Sequence, residues 1–296
     1  MEVLKVESLS KDYGRIKALK GVSFSVPEGV VFGVLGPNGS GKTTLLGIIV
    51  DILKPTSGSF SLFGEKPEAR HRKKIGTLLE TPNFYHYLTG EQNLLINASI
   101  KGRGSNDIDR VLKLVNLDTR RHSKFSTYSL GMKQRLAIAA AMLGNPDILL
   151  FDEPTNGLDP VGIAEIRSLI KELHQQGKTI IMASHLLDEV EKVCTHVAVL
   201  KKGDLIVHGN VDEIFSTNDM VELAATNKST LVSVLNSLSG IVNVKEEENG
   251  IVIASFPKGT ADLANINKHC FENGVVLNKL NLKRQSLESK FFELTN

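Results

Sequence analysis

Apolar residues fall into three patterns along this chain, and each predicts a different element. Short uninterrupted runs stand at Val30-Val31-Phe32-Gly33-Val34-Leu35, Ile148-Leu149-Leu150-Phe151 and Thr179-Ile180-Ile181-Met182-Ala183. Runs of this kind predict parallel strands buried on both faces. Leu4 to Leu9, Val22 to Val26 and Ser59 to Gly64 alternate instead, as half-buried strands do, and Ile75 to Leu79 adds one more strand. From Gly90 to about Gly144 the period becomes helical, with Leu94, Leu95 and Ile100 on one segment and Val111, Leu112 and Val115 on the next. Ile163, Ile166, Leu169, Ile170 and Leu173 mark an amphipathic helix, Leu186 to Cys194 another, and Lys201-Lys202-Gly203 turns a hairpin.

After about residue 215 the pattern shortens. Strands at Val221 to Ala224, Ile241 to Val244, Ile251 to Ala254 and Val275 to Leu280 alternate with helices at Ser229 to Leu238 and Ala261 to Asn273. That βαββαβ order suits a small split-βαβ domain over 216–296, closed by an amphipathic helix at Leu287 to Leu294. No catalytic constellation is visible in it, which leaves regulation or self-association as its expected role.

Composition narrows the class. A chain of 296 residues that is 41% hydrophobic and 23% charged can bury a sizeable core, and its net charge of +2 offers no electrostatic case for nucleic acid. No apolar run approaches the ~20 residues that cross a bilayer, so any membrane role needs a partner. Two cysteines and the lack of a secretory apolar region at the start set the expectation of a reducing, cytoplasmic location. The run Arg70-His71-Arg72-Lys73-Lys74 is either a solvated face or a contact for phosphate or an acidic partner.

The chemistry gathers at strand ends. Gly36-Pro37-Asn38-Gly39-Ser40-Gly41-Lys42-Thr43-Thr44 lies between a buried strand and a helix. This is the phosphate-binding pattern in its required context: glycines bring backbone N–H groups onto a polyphosphate, and the helix N-terminus favours negative charge. Lys42 would reach the β- and γ-phosphates of a nucleotide, and Thr43 would offer its hydroxyl to magnesium. Asp152 and Glu153 leave the end of another buried strand, where they point opposite ways and need different roles. Asp152 can hold magnesium through water, while Glu153 can orient or deprotonate an attacking water. His185 ends the neighbouring strand and either touches substrate or serves structure. Tyr13, ahead of the phosphate loop, either stacks on a base or packs on the surface. Ser129 is a helix N-cap that sets Gly131 at a site favourable to anions, or it is a cap alone.

Taken in order, the phosphate loop, Ser129-Leu130-Gly131-Met132, Ile148 to Glu153, Leu158-Asp159 and His185 resemble the nucleotide-binding domain of ATP-binding cassette transporters. The resemblance covers residues 1–215. It implies an α/β P-loop NTPase with a mixed sheet core, an antiparallel β subdomain and a helical insert at about 81–145, followed by the small α+β domain. It further implies that ATP and Mg2+ are bound, that Tyr13 stacks on adenine, that Glu153 is the catalytic carboxylate and that His185 senses the γ-phosphate. Two sites would be shared across a head-to-tail homodimer, with Ser129 and Gly131 of one subunit capping the ATP held by Lys42 of the other and Asp159 in the dimer turn.

Leu130 and Met132 depart from the family's usual small residue and glutamine. Glu80 stands where the family has a glutamine that senses magnesium and permease; a carboxylate still ligates magnesium but adds negative charge near the phosphates. Together with Ser286 to Thr295, these forms are similar to the bacterial exporter branch associated with bacitracin, lantibiotics and other drugs. The implied function is ATP hydrolysis that energises a separate transmembrane permease from the cytoplasmic face, with membrane contact only through that permease. The alternatives are a soluble non-transport ATPase of the same superfamily and a nucleotide sensor, yet neither paired cassettes nor long coiled coils are found, and Glu153 is present. Phe84, Tyr85 and Tyr87 crowd one predicted loop beside Glu80, so some of them are expected to form a docking groove.

Overall fold

The structure, a computed structural model, describes residues 1–79, 82–214, 219–247, 250–257 and 259–284. The chain divides into two compact units, Met1–Ile214 and Phe215–Asn296. In the first unit, β1 (Glu2–Tyr13), β2 (Ile16–Pro27) and β4 (Ser57–Leu62) form an antiparallel sheet in the order β2-β1-β4. A six-stranded sheet follows the order β5-β6-β7-β3-β8-β9, built from β3 (Val31–Leu35), β5 (Ile75–Leu78), β6 (Ile148–Asp152), β7 (Thr179–Ser184), β8 (His196–Lys201) and β9 (Asp204–Asn210). Five of these strands are parallel, and β9 runs antiparallel to β8 as the far arm of a hairpin.

Every residue of β3, β6 and β7 is buried, because layers cover both faces of a parallel sheet. On one side α1 (Lys42–Ile49) contributes Leu45, Leu46, Ile48 and Ile49 to a core shared with the antiparallel sheet. Phe24 of β2 stacks on Phe32 of β3 with ring centroids 5.3 Å apart, which joins the two sheets. The short helix α2 (Ala69–Arg72) lies in the predicted basic run, where Arg70 pairs with Glu65 and Glu68 and His71 is buried.

Between β5 and β6 run α3 (Gly90–Lys101), α4 (Ile108–Leu114) and α5 (Leu130–Met142). Thr89 and Gln92 form a capping box that starts α3. Phe125 is the centre of this region, with Phe84 edge-on at 5.1 Å and Tyr128 at 6.0 Å. Phe84 is therefore a core residue, contrary to its grouping with a docking surface, whereas Tyr85 and Tyr87 are 51% and 69% exposed. The hydrophobic drive that buries one aromatic of the three leaves the other two at the surface, ring to ring at 5.9 Å. The helices α6 (Pro160–Gln175), α7 (Leu187–Val193) and α8 (Val211–Ile214) complete the unit.

The second unit runs β10 (Asp219–Ala225), α9 (Lys228–Asn236), β11 (Asn243–Glu246), β12 (Val252–Phe256), α10 (Leu263–Glu272) and β13 (Leu277–Arg284). Its four strands are antiparallel in the order β11-β12-β10-β13, and Leu231, Leu235, Ile266 and Cys270 from the helices pack with Val221, Leu223, Val252 and Ala254 from the sheet. The last strand starts later than the expected Val275 because Val275 N donates to Cys270 O at 2.9 Å, and with Gly274 at φ +75° this closes α10. The helix expected at Leu287 to Leu294 and the family-like segment Ser286 to Thr295 lie outside the described residues, as does Glu80.

The packing of α5 on β5 yields a test. A Cβ placed on Gly76 would lie 2.2 Å from Ala141 O, a backbone atom of α5 that cannot move alone. Gly76→Ala should lower stability by about 1–3 kcal/mol in urea unfolding, with the slope unchanged.

Candidate functional site

The site begins where β3 ends. Gly36 N donates to Ser184 O at 3.3 Å, and Gly203 N, at the tip of the β8–β9 hairpin, donates to Ser40 O at 3.0 Å, so two neighbouring strands support the loop. Gly41 has φ +108°, and a Cβ there would lie 2.4 Å from Ala18 O; only glycine meets both conditions. The loop runs directly into α1, whose first residue is Lys42. A cleft of about 490 Å³ opens here, lined among others by Asn38, Gly39, Lys42, Thr43, Thr44 and Glu153.

Lys42 is 6% exposed, with Nζ donating to Gly36 O at 2.8 Å and Pro37 O at 3.3 Å and lying 3.4 Å from Glu153 Oε1. The other carboxylate oxygen of Glu153 lies 2.8 Å from His185 Nδ1. Parallel register sets this up: Asp152, the last residue of β6, pairs with Ala183, one residue short of the end of β7, so Glu153 and His185 leave the sheet at the same edge. Asp152 stays buried at 3% exposure as the last residue of β6, while Glu153 turns off the strand at φ +48°. That left-handed turn, rather than strand alternation, separates the two carboxylates. A cation, a carboxylate and an imidazole thus form a chain of contacts, with Lys42 and Glu153 lining the cleft and His185 behind Glu153 outside that lining, an arrangement that can bind an anion at one end and accept a proton in the middle.

The remaining predicted residues lie elsewhere. Tyr13 is the last residue of β1, paired with Ile16 rather than held in a long loop, and the Lys11 ammonium sits 5.1 Å from its ring centroid. Ile16, Lys17 and Ala18 line the cleft, and Tyr13 does not. Ser129 caps α5 by accepting from Met132 N at 3.2 Å; Leu130 is exposed and the space over Gly131 is open, its nearest neighbour being Leu158 Cδ2 at 4.0 Å. Asp159 caps α6, accepting from Gly162 N at 2.8 Å. None of Ser129, Leu130, Gly131, Met132 or Asp159 lines the cleft around Lys42 of the same chain.

Residues 19–156 match the family model described as ABC transporter. The bacitracin transport ATP-binding protein BcrA of Enterococcus faecalis is 36% identical over 298 residues, which is 99% of this chain and 96% of that relative. The chain belongs to the ABC transporter family. A lantibiotic transport ATP-binding protein, SrtF of Streptococcus pyogenes, is 35% identical over 74% of this chain and 99% of its own length. Among solved structures, an ATP-binding cassette dimer in a post-hydrolysis state with ADP and Pi matches 70% of this chain and 98% of its own at 29% identity, with a TM-score of 0.63. The α/β P-loop fold expected from the motifs is the observed one, and the chain is an ATP-binding and ATP-hydrolysing transporter subunit. No helix among the described residues is long and apolar enough to cross a membrane.

Sequence reasoning passed over Lys17 and Lys202, which line the cleft, and Glu189, which reads as an ordinary acidic residue in a helix first turn. Only contacts distant in sequence mark them out. For Lys42, the geometry predicts that Lys42→Ala, by removing the buried cation from the loop, will weaken ATP binding about tenfold or more in calorimetry. Unchanged affinity would place the phosphates elsewhere.

Proposed function

We propose that this cassette powers a bacterial exporter of an antibiotic, peptide or similar amphipathic compound, working as a head-to-tail pair on a separate permease. The observation that carries the hydrolytic half is the Lys42–Glu153–His185 line at the edge of the cleft. ATP phosphates compete with Glu153 for Lys42. Their arrival turns one carboxylate oxygen toward the attacking water, while the other keeps its contact with His185. Water attacks the γ-phosphorus, its proton passes to Glu153, the bond to the β-phosphate oxygen breaks, and ADP and inorganic phosphate result. His185 is assigned to sensing the γ-phosphate, and Tyr13, paired with the cleft residue Ile16, to adenine.

Magnesium fits this donor set. Thr43 lines the cleft and Asp152 ends β6, one strand beyond β7 from the strand that leads into the phosphate loop, and both are hard oxygen donors. Thr43 and Asp152 would hold the ion, with Glu80 assigned to the same task, and bound Mg2+ would supply neutralisation of phosphate charge.

The dimer is inferred from the segment Ser129-Leu130-Gly131-Met132. Ser129 accepts with a lone pair in capping α5, so its hydroxyl proton is still able to donate to a phosphate oxygen. With Leu130, Gly131 and Met132 at an open helix start away from Lys42 of its own chain, the segment is assigned to the ATP of a partner subunit, and Asp159 to the turn between them. The names of the relatives support export of bacitracin-like or lantibiotic-like compounds; the choice of cargo is assigned to the permease. The subunit is accordingly placed peripherally on the cytoplasmic face, with no nucleic-acid partner.

Two experiments test this reading. Glu153→Gln should keep ATP binding, lose hydrolysis by roughly 10²-fold or more, and accumulate as an ATP-bound dimer in size-exclusion chromatography. Wild-type turnover would remove Glu153 from the chemistry. For the permease, Tyr85→Ala with Tyr87→Ala should leave the isolated subunit's ATPase intact but reduce its recovery with permease-containing membranes severalfold. Unchanged recovery would move the docking surface away from these rings.

A further inference from the structure

A carboxylate that takes no part in the proposed chemistry holds both turns that carry it. Glu189, in the first turn of α7, is 0% exposed. Its Oε2 accepts from Ser184 Oγ at 2.7 Å, and its Oε1 accepts from Thr155 Oγ1. Ser184 immediately precedes His185, and Thr155 follows Glu153 by two residues. The Ser184 hydroxyl also accepts from Leu186 N at 3.0 Å, which closes the turn around His185. Asn156 N donates to Glu153 O at 3.1 Å and Leu158 N to Thr155 O at 3.2 Å, which close the turn around Glu153. Ser184 O, in turn, accepts from Gly36 N of the phosphate loop.

Burying a carboxylate is costly unless strong donors meet it, and hydroxyl donors to an ionised oxygen are among the strongest. Here the two donors come from the two turns that carry Glu153 and His185, whose side chains meet 2.8 Å apart. We infer that Glu189 is a positioning residue for ATP hydrolysis: by holding one hydroxyl from each turn, its carboxylate sets the approach of His185 to Glu153. The same link carries the placement to the phosphate loop through Ser184. This rests on the reading of Glu153 as the base.

Glu189→Gln keeps the volume but loses the charge and one acceptor oxygen, so one hydroxyl bond must reverse, the amide donating to the hydroxyl oxygen, and both lose their charge assistance. Thr155→Val removes the other end of the link at nearly constant shape. In the full chain, each variant should bind ATP within about threefold of wild type while kcat falls roughly tenfold to a hundredfold, the cost of misplacing a reacting group. Combined, the two substitutions should cost little more than one alone. Wild-type kcat in folded variants, or losses confined to KM and melting temperature, would overturn the inference. If Glu189→Gln does not fold, Thr155→Val decides alone. Glu153→Gln is assayed beside them: hydrolysis surviving there defeats the reading of the base, whereas its loss with intact Glu189→Gln and Thr155→Val activity defeats only the positioning role.

Discussion

The pairing of three buried parallel strands sets the place of every group in the cleft. Leu35 lies opposite Ser184, and Asp152 opposite Ala183, so β3, β7 and β6 end within a residue of one another. The phosphate loop, Glu153 and His185 are simply what comes next on each strand. Slippage is opposed because β3, β6 and β7 are buried at every position; a shifted register would drag polar strand-end residues into the core. The site is thus as rigid as the core that carries it.

On that frame the electrostatics are a matter of substitution. Lys42 is desolvated and held by two carbonyls and Glu153, a set of partners that a polyphosphate can replace without leaving the ammonium bare. Glu153 holds a left-handed backbone, a conformation that costs on the order of 1–3 kcal/mol for a side chain of its size. Its N–H bonds to Ala183 O at 3.0 Å, so the turn is anchored to β7 even as it leaves the strand. Strain of this kind persists where surrounding contacts over-determine it, and the Glu189 link is one such contact.

Around the site, separate parts are joined by close packing. Gly76 lets α5 lie against β5, and Ser129 caps the start of α5, so the Ser129-Leu130-Gly131-Met132 segment is placed by the same sheet that places the phosphate loop. Lys101 of α3 donates to Ala140 O at 2.6 Å near the C-terminal end of α5, and burial pushes its pKa down to about 8. The similarity to SrtF spans 74% of this chain but nearly all of that relative, so the rest of this chain has no counterpart there, whereas BcrA is matched almost throughout.

What the sequence by itself determined was everything that depends on local order: the strand–loop–helix of residues 30–49, the cap at Ser129, the acidic strand end, and the βαββαβ succession of the second unit. Hydrophobic period and capping chemistry act over a few residues and are written in those residues. Tertiary structure alone decided which aromatic of Phe84, Tyr85 and Tyr87 is core, since that depends on Phe125, distant in the chain. It alone turned Glu153 away from Asp152 and toward Lys42 and His185, and it alone brought Glu189 to Thr155 and Ser184. Those contacts join strands far apart in sequence, and no period or motif records a distance that only the folded sheet closes.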